Sequence, residues 1–282
     1  LYLNEDIPEP PTLHDDYVGR AAAAREAKMR LDKNMTVTDL KCEIPHELPE
    51  RELRSWVYQK YIKEYLRVIA SIDDNVGRLL DFLDEHNLAE NTMVIYTSDQ
   101  GFFLGDHGWY DKRFMYEESL RMPFILRYPA MAKPGSVNAD MILNVDFAPL
   151  FLDLARIATP PEMQGHSFLS LLRGETPSGW RQSMYYRYWM HGDSCHNVHA
   201  HYGVRTHRYK LIHYYGDGLG LPGTSTTLTP PEWELFDLDK DPCELNNCYH
   251  NPAYATVVQE LKAELTRLQT EVGDTPVSPK SY

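Results

Sequence analysis

Basic charge, thiols and long apolar runs are all scarce in this chain of 282 residues. Lys and Arg total 28 against 41 Asp and Glu, a formal charge of −13. So acidic a balance excludes a general nucleic-acid binder, because neutralising phosphates needs a basic face. Any anionic substrate must meet a local basic patch. No apolar run approaches the roughly 20 residues needed to span a bilayer. Leu1-Tyr2-Leu3-Asn4-Glu5 has neither a basic n-region nor an h-region, so no targeting signal is read here. The four cysteines, Cys42, Cys195, Cys243 and Cys248, make neither C-x-x-C nor a dense disulfide framework. Cys243 and Cys248 are either a small disulfide loop or two unrelated thiols. Asn34-Met35-Thr36 fits the glycosylation sequon, a pattern too frequent to decide anything.

What is present is 43% hydrophobic residues, enough for a sizeable core divided between one large unit and a smaller one. Residues 1–20 are rich in Pro and acid, which suits an extended surface segment and reads as cut from something larger. Residues 21–34 have strong helix propensity. From Glu52 to about His86, apolar residues at three-and-four spacing predict a long amphipathic helix, with Asn87 as its left-handed C′ residue. Met141 to Ala158 passes into an amphipathic helix, and Phe168 to Leu172 is a short helix stopped at Gly174. The texture changes around Pro177 to Trp180, which sets a boundary between 1–178 and 179–282. Beyond it, Met184 to Tyr188, His201 to Tyr215 and Trp233 to Leu238 read as antiparallel strands. Asn251 as N-cap and Pro252 at N1 announce a final helix that ends before Gly273.

One stretch organises the chain. Thr92 to Thr97 is a β-branched, apolar run with the composition of a strand buried on both faces, and it stops abruptly at Ser98-Asp99-Gln100-Gly101. Beyond the carboxyl ends of parallel strands lies the ligand crevice of open α/β sheets. Asp99 and Gln100 there offer a carboxylate and an amide carbonyl, hard donors that favour Ca²⁺, and less so Mg²⁺, over zinc. Past glycines 101, 105 and 108, Lys112 and Arg113 are placed to hold a tetrahedral anion, the first as a compact charge and the second as a fork. His107 can act as an acid near neutral pH. A second buried strand is expected from Met122 to Tyr128. A hard cation, a lysine and a histidine in one loop suit an enzyme that neutralises charge developing on a sulfuryl or phosphoryl group.

The run Ile95-Tyr96-Thr97-Ser98-Asp99-Gln100-Gly101, then Leu104-Gly105-Asp106-His107-Gly108, Asp111-Lys112-Arg113 and Arg121-Met122-Pro123, resembles the second signature region of the formylglycine-dependent sulfatases. The likeness extends to Ser71-Ile72-Asp73-Asp74-Asn75-Val76-Gly77 and to Trp233-Glu234-Leu235-Phe236-Asp237-Leu238 with Asp241-Pro242 and Glu244-Leu245-Asn246-Asn247. Among them it is most similar to glycan sulfatases acting on glucosamine or uronic acid units. The resemblance implies an α/β fold: part of an alkaline-phosphatase-like mixed sheet flanked by helices, then a small antiparallel sheet with a covering C-terminal helix. It implies that Asp99 and Gln100 are calcium ligands, that Lys112 contacts the sulfate, that His107 lines the pocket, and that Arg113 meets the sugar or its carboxylate. It implies a sulfated saccharide as substrate and a periplasmic, secreted or lysosomal location.

The family's nucleophile is a formylglycine made from Cys or Ser in C/S-x-P-S-R or a close variant. None of the four cysteines has that context, since Cys42 precedes Glu-Ile-Pro, Cys195 His-Asn-Val, Cys243 Glu-Leu-Asn and Cys248 Tyr-His-Asn. The N-terminal Asp-Asp pair of the calcium site is not found either. The expectation is a C-terminal portion of a sulfatase, with half a metal site, inactive without a missing N-terminal portion that supplies the formylglycine. A phosphodiesterase or phosphonate hydrolase of the same superfamily, and a non-catalytic glycan-binding fragment, are the rival readings.

Six of the twelve histidines lie between 191 and 213. His199 and His201 share a face if extended and would suit zinc, but no clear third and fourth ligand follows. A substrate-facing loop carrying His201 is the preferred reading, with Arg205, Arg208 and Lys210 supplying local positive charge.

Overall fold

A computed structural model describes residues 1–277. In chain order its helices are α1 (Ala22–Glu26), α2 (Leu31–Asn34), α3 (Val37–Leu40), α4 (Glu50–Glu85), α5 (Glu117–Leu120), α6 (Phe147–Leu154), α7 (Leu169–Leu172) and α8 (Ala255–Glu271). Its strands are β1 (Val94–Thr97), β2 (Phe103–Leu104), β3 (Tyr110–Asp111), β4 (Phe124–Arg127), β5 (Ser183–Tyr188), β6 (His201–Thr206), β7 (Tyr209–Tyr214) and β8 (Glu232–Asp237). No described helix is long and apolar enough to cross a membrane. All four cysteines are free thiols, so Cys243 and Cys248 stand apart.

The contacts gather the chain into two units that are not consecutive in sequence. One holds Leu1–Ser71, Gln100–Arg121 and everything from Met184, and the other holds Ile72–Asp99 and Met122–Ser183. The chain passes from one to the other inside α4, between Asp99 and Gln100, between Arg121 and Met122, and last after Ser183.

In the first unit, period-two alternation builds a four-stranded sheet in the order β5-β6-β7-β8, with β6–β7 and β7–β8 antiparallel. Ile212, Tyr214 and Phe236, with Met184, Tyr186 and Tyr188, pack on a cluster of Phe103, Trp109, Phe114 and Tyr116. The alternate residues Tyr202, Val204, Leu211 and Leu235 meet Leu261, Leu265 and Leu268 of α8 on the other face. Asn251 caps the single 3₁₀ turn Pro252–Tyr254 that leads into this helix, its side chain accepting from Ala253 N at 3.0 Å, and Gly273 beyond the helix end takes φ 73°. The run from His201 to Tyr215 is two strands, because Thr206 Oγ1 accepts from Arg208 N and Tyr209 N and turns the chain.

The single helix expected over 21–34 is broken. Ala27 is extended at ψ 135°, Tyr110 N donates to Met29 O, and Lys28 N donates to His196 O, so tertiary hydrogen bonds override local helix propensity. Helix α4 begins two residues early, its first half burying Val57, Tyr58 and Ile62 among Leu13, Leu31 and Leu40. Asn87 adopts φ 58°, the left-handed stop predicted for it.

In the second unit, β1 pairs with β4 antiparallel, Val94 opposite Arg127 and Thr97 opposite Phe124. The strand read as parallel and buried on both faces is half-buried along its length. Composition reports an apolar run but neither strand direction nor the number of covered faces. Ile95, Phe124, Phe147, Leu150 and Phe168 form this unit's core.

Gly203 sits where the sheet meets the aromatic cluster: an added Cβ would lie 2.3 Å from Leu211 O and 2.6 Å from Met115 Sδ. Gly203→Ala should cost about 2 kcal/mol or more, since a backbone oxygen cannot step aside. A urea midpoint equal to wild type would refute this close approach.

Candidate functional site

The loop between β1 and β4 folds, within the first unit, as a hairpin fastened at both ends. Gly101 N donates to Ser119 O at 2.8 Å, and a Cβ there would lie 2.0 Å from Glu118 O, so only glycine fits against α5. Strands β2 and β3 pair, Phe103 with Asp111 and Leu104 with Tyr110, around a tight turn at Asp106–Gly108.

His107 occupies that turn at φ 55° with no exposed surface. Its backbone N–H donates to Thr12 Oγ1, its carbonyl accepts from Tyr17 Oη at 2.6 Å, and its Nδ1 lies 2.8 Å from Asp15 Oδ2. Arg20 also pairs with Asp15. Burial lowers the His107 pKa and the ring is neutral, so Nδ1 carries the proton that Asp15 accepts. Burial works against the Asp15 charge, but hydrogen bonds from His107 and Arg20 outweigh it and hold the carboxyl well below its usual range. Phe103, Trp109 and Tyr116 crowd the ring. The sequence expectation that His107 lines a pocket is therefore corrected: enclosed on every side, it anchors the turn.

Behind it lies a buried charge network that residue patterns do not reveal. Lys210, fully enclosed, sits 2.9 Å from Glu117 Oε1 and 2.6 Å from Glu244 Oε1. Arg205 adds a fork on Glu117 at 3.2 and 3.0 Å. Lys210 and Arg205 overcome burial and draw the Glu117 pKa down to about 2. Burial, then the Glu244 carboxylate, push Glu118 up to about 8, and burial raises Glu244 to about 7 despite Lys210. Lys210 and Arg205, expected to offer positive charge to a ligand, are spent on these carboxylates.

Lys112 and Arg113 remain available. The Lys112 side chain is 32% exposed, its ammonium 3.8 Å from Asp111 Oδ1 and 5.7 Å from the centre of the Phe102 ring. Arg113 Nη2 donates to Asp111 Oδ2 at 3.2 Å, and its Nε has no partner among the described residues. Asp111 is thus central, and the sequence reading missed it. Its left-handed φ of 68° and the bond from Lys112 N to its Oδ1 at 2.7 Å were not legible from residue type.

Asp99 ends the segment after β1 in the second unit, exposed, with Ser98 Oγ donating to its Oδ1 at 3.3 Å and Asn144 Nδ2 donating to its carbonyl at 2.6 Å. Gln100 is half-buried and opens the hairpin segment. Their donors are hard oxygens and suit calcium, but two fall short of the six to eight such an ion takes, and among the described residues no group of three His, Cys, Asp or Glu is arranged for a metal. The histidine-rich stretch is corrected too. His201 lies in β6, wholly buried, its Nδ1 on His199 O and its ring among Phe114, Tyr186, Tyr188 and Tyr214. It cannot face a substrate, and His199 is engaged by Glu26 rather than by a shared ion. Alternation in a strand, not loop exposure, was the signal that would have placed it.

Residues 9–157 match the Sulfatase family model, and residues 105–271 match the model of the C-terminal region of N-sulphoglucosamine sulphohydrolase. An N-acetylglucosamine-6-O-sulfatase of Bacteroides thetaiotaomicron is 38% identical over 97% of the chain and 54% of its own length. An arylsulfatase of Clostridium perfringens is 27% identical over 95% of the chain and 48% of its own length. The chain therefore spans about half the length of these curated relatives. Among solved structures, one bound to its substrate D-glucosamine-2-N,6-O-disulfate superposes with a TM-score of 0.85 at 38% identity, covering 96% of this chain and 60% of the other. A phosphonate monoester hydrolase of Agrobacterium radiobacter shares the alkaline-phosphatase-like fold, with a TM-score of 0.64 at 22% identity over 81% of this chain and 44% of its own.

Glu118 leads to a pH prediction. Its pKa is raised from 4.5 to about 8, so between those values the folded state keeps a proton that the unfolded chain releases. Stability is then fully present below pH 4.5 and declines as pH rises towards 8. Glu118→Gln should flatten this decline in denaturant unfolding measured at several pH values, and an unchanged slope would place the titration elsewhere.

Proposed function

The chain belongs to the sulfatase family, and on that premise we propose that the protein carrying it hydrolyses sulfate esters of glucosamine units in sulfated glycans, with Lys112 holding the sulfate. The observation that carries the reading is the 38% identity spanning 97% of the chain to an N-acetylglucosamine-6-O-sulfatase. It is supported by a lysine and an arginine side by side and partly exposed on a hairpin fastened to the core.

In this reading the ammonium of Lys112 binds a sulfate oxygen and stabilises negative charge as the ester bond breaks, a compact charge suited to a tetrahedral anion. Arg113, its Nη2 on Asp111 and its side chain partly exposed, offers the remaining guanidinium donors to sugar hydroxyls or a neighbouring acidic group. Asp99 and Gln100 would each contribute a hard oxygen to a calcium ion, which when bound supplies Lewis-acid stabilisation of a sulfate ester. The family's formylglycine supplies the nucleophile where it is present, and no cysteine of these 282 residues lies in its sequence context. His107 acts only through the turn it anchors.

Lys112→Ala, made in the complete protein, should lower kcat/KM towards 6-O-sulfated glucosamine by roughly a hundredfold or more, with the unfolding midpoint little changed because its ammonium comes no closer than 3.8 Å to Asp111 and makes no hydrogen bond to it. Faster turnover of phosphate or phosphonate esters than of sulfate esters would overturn the reading in favour of the rival hydrolases.

A further inference from the structure

Asp111 lies beside two cations, yet neither captures it. Its Oδ1 is taken by Lys112 N at 2.7 Å, and its Oδ2 is shared between Arg113 Nη2 at 3.2 Å and His196 Nε2 at 2.9 Å. The imidazole thus makes the shorter side-chain contact. Its aim is fixed from behind. Asp193 Oδ1 accepts from Cys195 N at 3.0 Å, His196 N at 2.9 Å and His196 Nδ1 at 2.9 Å, while His196 O accepts from Lys28 N at 2.7 Å. Asn197 Nδ2 donates to Glu26 O at 2.9 Å and closes the loop onto the last residue of α1. Both ring nitrogens therefore face carboxylates across a loop with no freedom to turn.

We propose that His196 is a positioning residue of the sulfate-binding hairpin. Held by Asp193, it occupies Asp111 Oδ2 and so keeps the Asp111 carboxylate from swinging onto Lys112 or closing fully on Arg113. This rests on the reading of Lys112 and Arg113 as substrate contacts. The physical reason is competition for one acceptor. A carboxylate beside two flexible cations neutralises one of them unless another donor holds it, and a ring whose two nitrogens both face carboxylates donates to both as the imidazolium, making its bond to Asp111 charge-assisted and fixed in direction. In the structure Lys112 Nζ stays 3.8 Å from Asp111, beyond hydrogen-bonding distance, with a third of its side chain in solvent.

Two isosteric substitutions separate positioning from simple packing. His196→Asn keeps a donor near Nδ1 for Asp193 and removes the one that reaches Asp111, whereas His196→Gln restores a donor near Nε2. In the complete protein assayed with 6-O-sulfated glucosamine, His196→Asn should raise KM about tenfold with kcat within about twofold of wild type, and His196→Gln should recover most of the loss. Equal losses in both variants, accompanied by a fall in unfolding midpoint, would overturn the inference and leave His196 a structural residue. Wild-type kinetics in His196→Asn would overturn it too. A wild-type protein that turned over no sulfated sugar would strike instead at the functional reading, so the two failures are told apart.

Discussion

Everything the hairpin presents depends on one buried contact, the imidazole of His107 on the carboxylate of Asp15 with Arg20 behind it. An isolated buried carboxylate is too costly to keep charged, and a guanidinium is no cheaper. Here each satisfies the other, and the neutral histidine adds a donor without adding a charge. This joins a turn at residue 107 to the Pro-rich N-terminal segment at residues 12–20, about ninety residues away. The segment that composition describes as extended and peripheral is therefore part of the core, with Leu13 and Tyr17 buried and Thr12 bonded to the His107 amide.

A second buried set holds the other end of the hairpin. Lys210 on β7 bridges Glu117 on α5 and Glu244 in the loop after β8, and Glu244 Oε2 also accepts from Glu117 N. Buried ion pairs of this kind contribute little net stability over apolar residues of the same volume, but breaking one leaves an unpaired charge. Their value here lies in register. Helix α5 is one turn long and has no intrinsic stability, so the ions and the Gly101 contact fix where the hairpin leaves the core. Burial, with neighbouring carboxylates adding to it, raises Glu118 and Glu244, while Lys210 and Arg205 together outweigh burial at Glu117 and lower it.

How much of this was legible follows from the range of each interaction. The long helix α4, the Asn87 stop, helix α8 and the strands of the small sheet are set by local periodicity and turn chemistry, and they stand close to where residue patterns put them. The break at residues 27–30 was not legible, because it is made by partners at Tyr110 and His196. The direction of β1 was not legible either, because an apolar run looks the same in either orientation. His107 and His201 were read as accessible because histidine is so often functional. What decides their exposure is a turn conformation in one case and strand alternation among tyrosines in the other.

The same distinction explains why Lys112 and Arg113 stand out from the other cations of this unit. Lys210, Arg20 and Arg205 each face carboxylates whose charge matches their own, so the acidic excess of the chain is partly absorbed inside it. On the hairpin the balance is reversed. One carboxylate, Asp111, lies beside two cations, and a histidine carried on another loop takes part of its capacity. A protein of net charge −13 can present positive charge to an anion only where its acids are otherwise engaged. Placing Asp193 behind His196, rather than beside Lys112, achieves that: the second carboxylate strengthens the imidazole's hold on Asp111 and makes no contact with the ammonium.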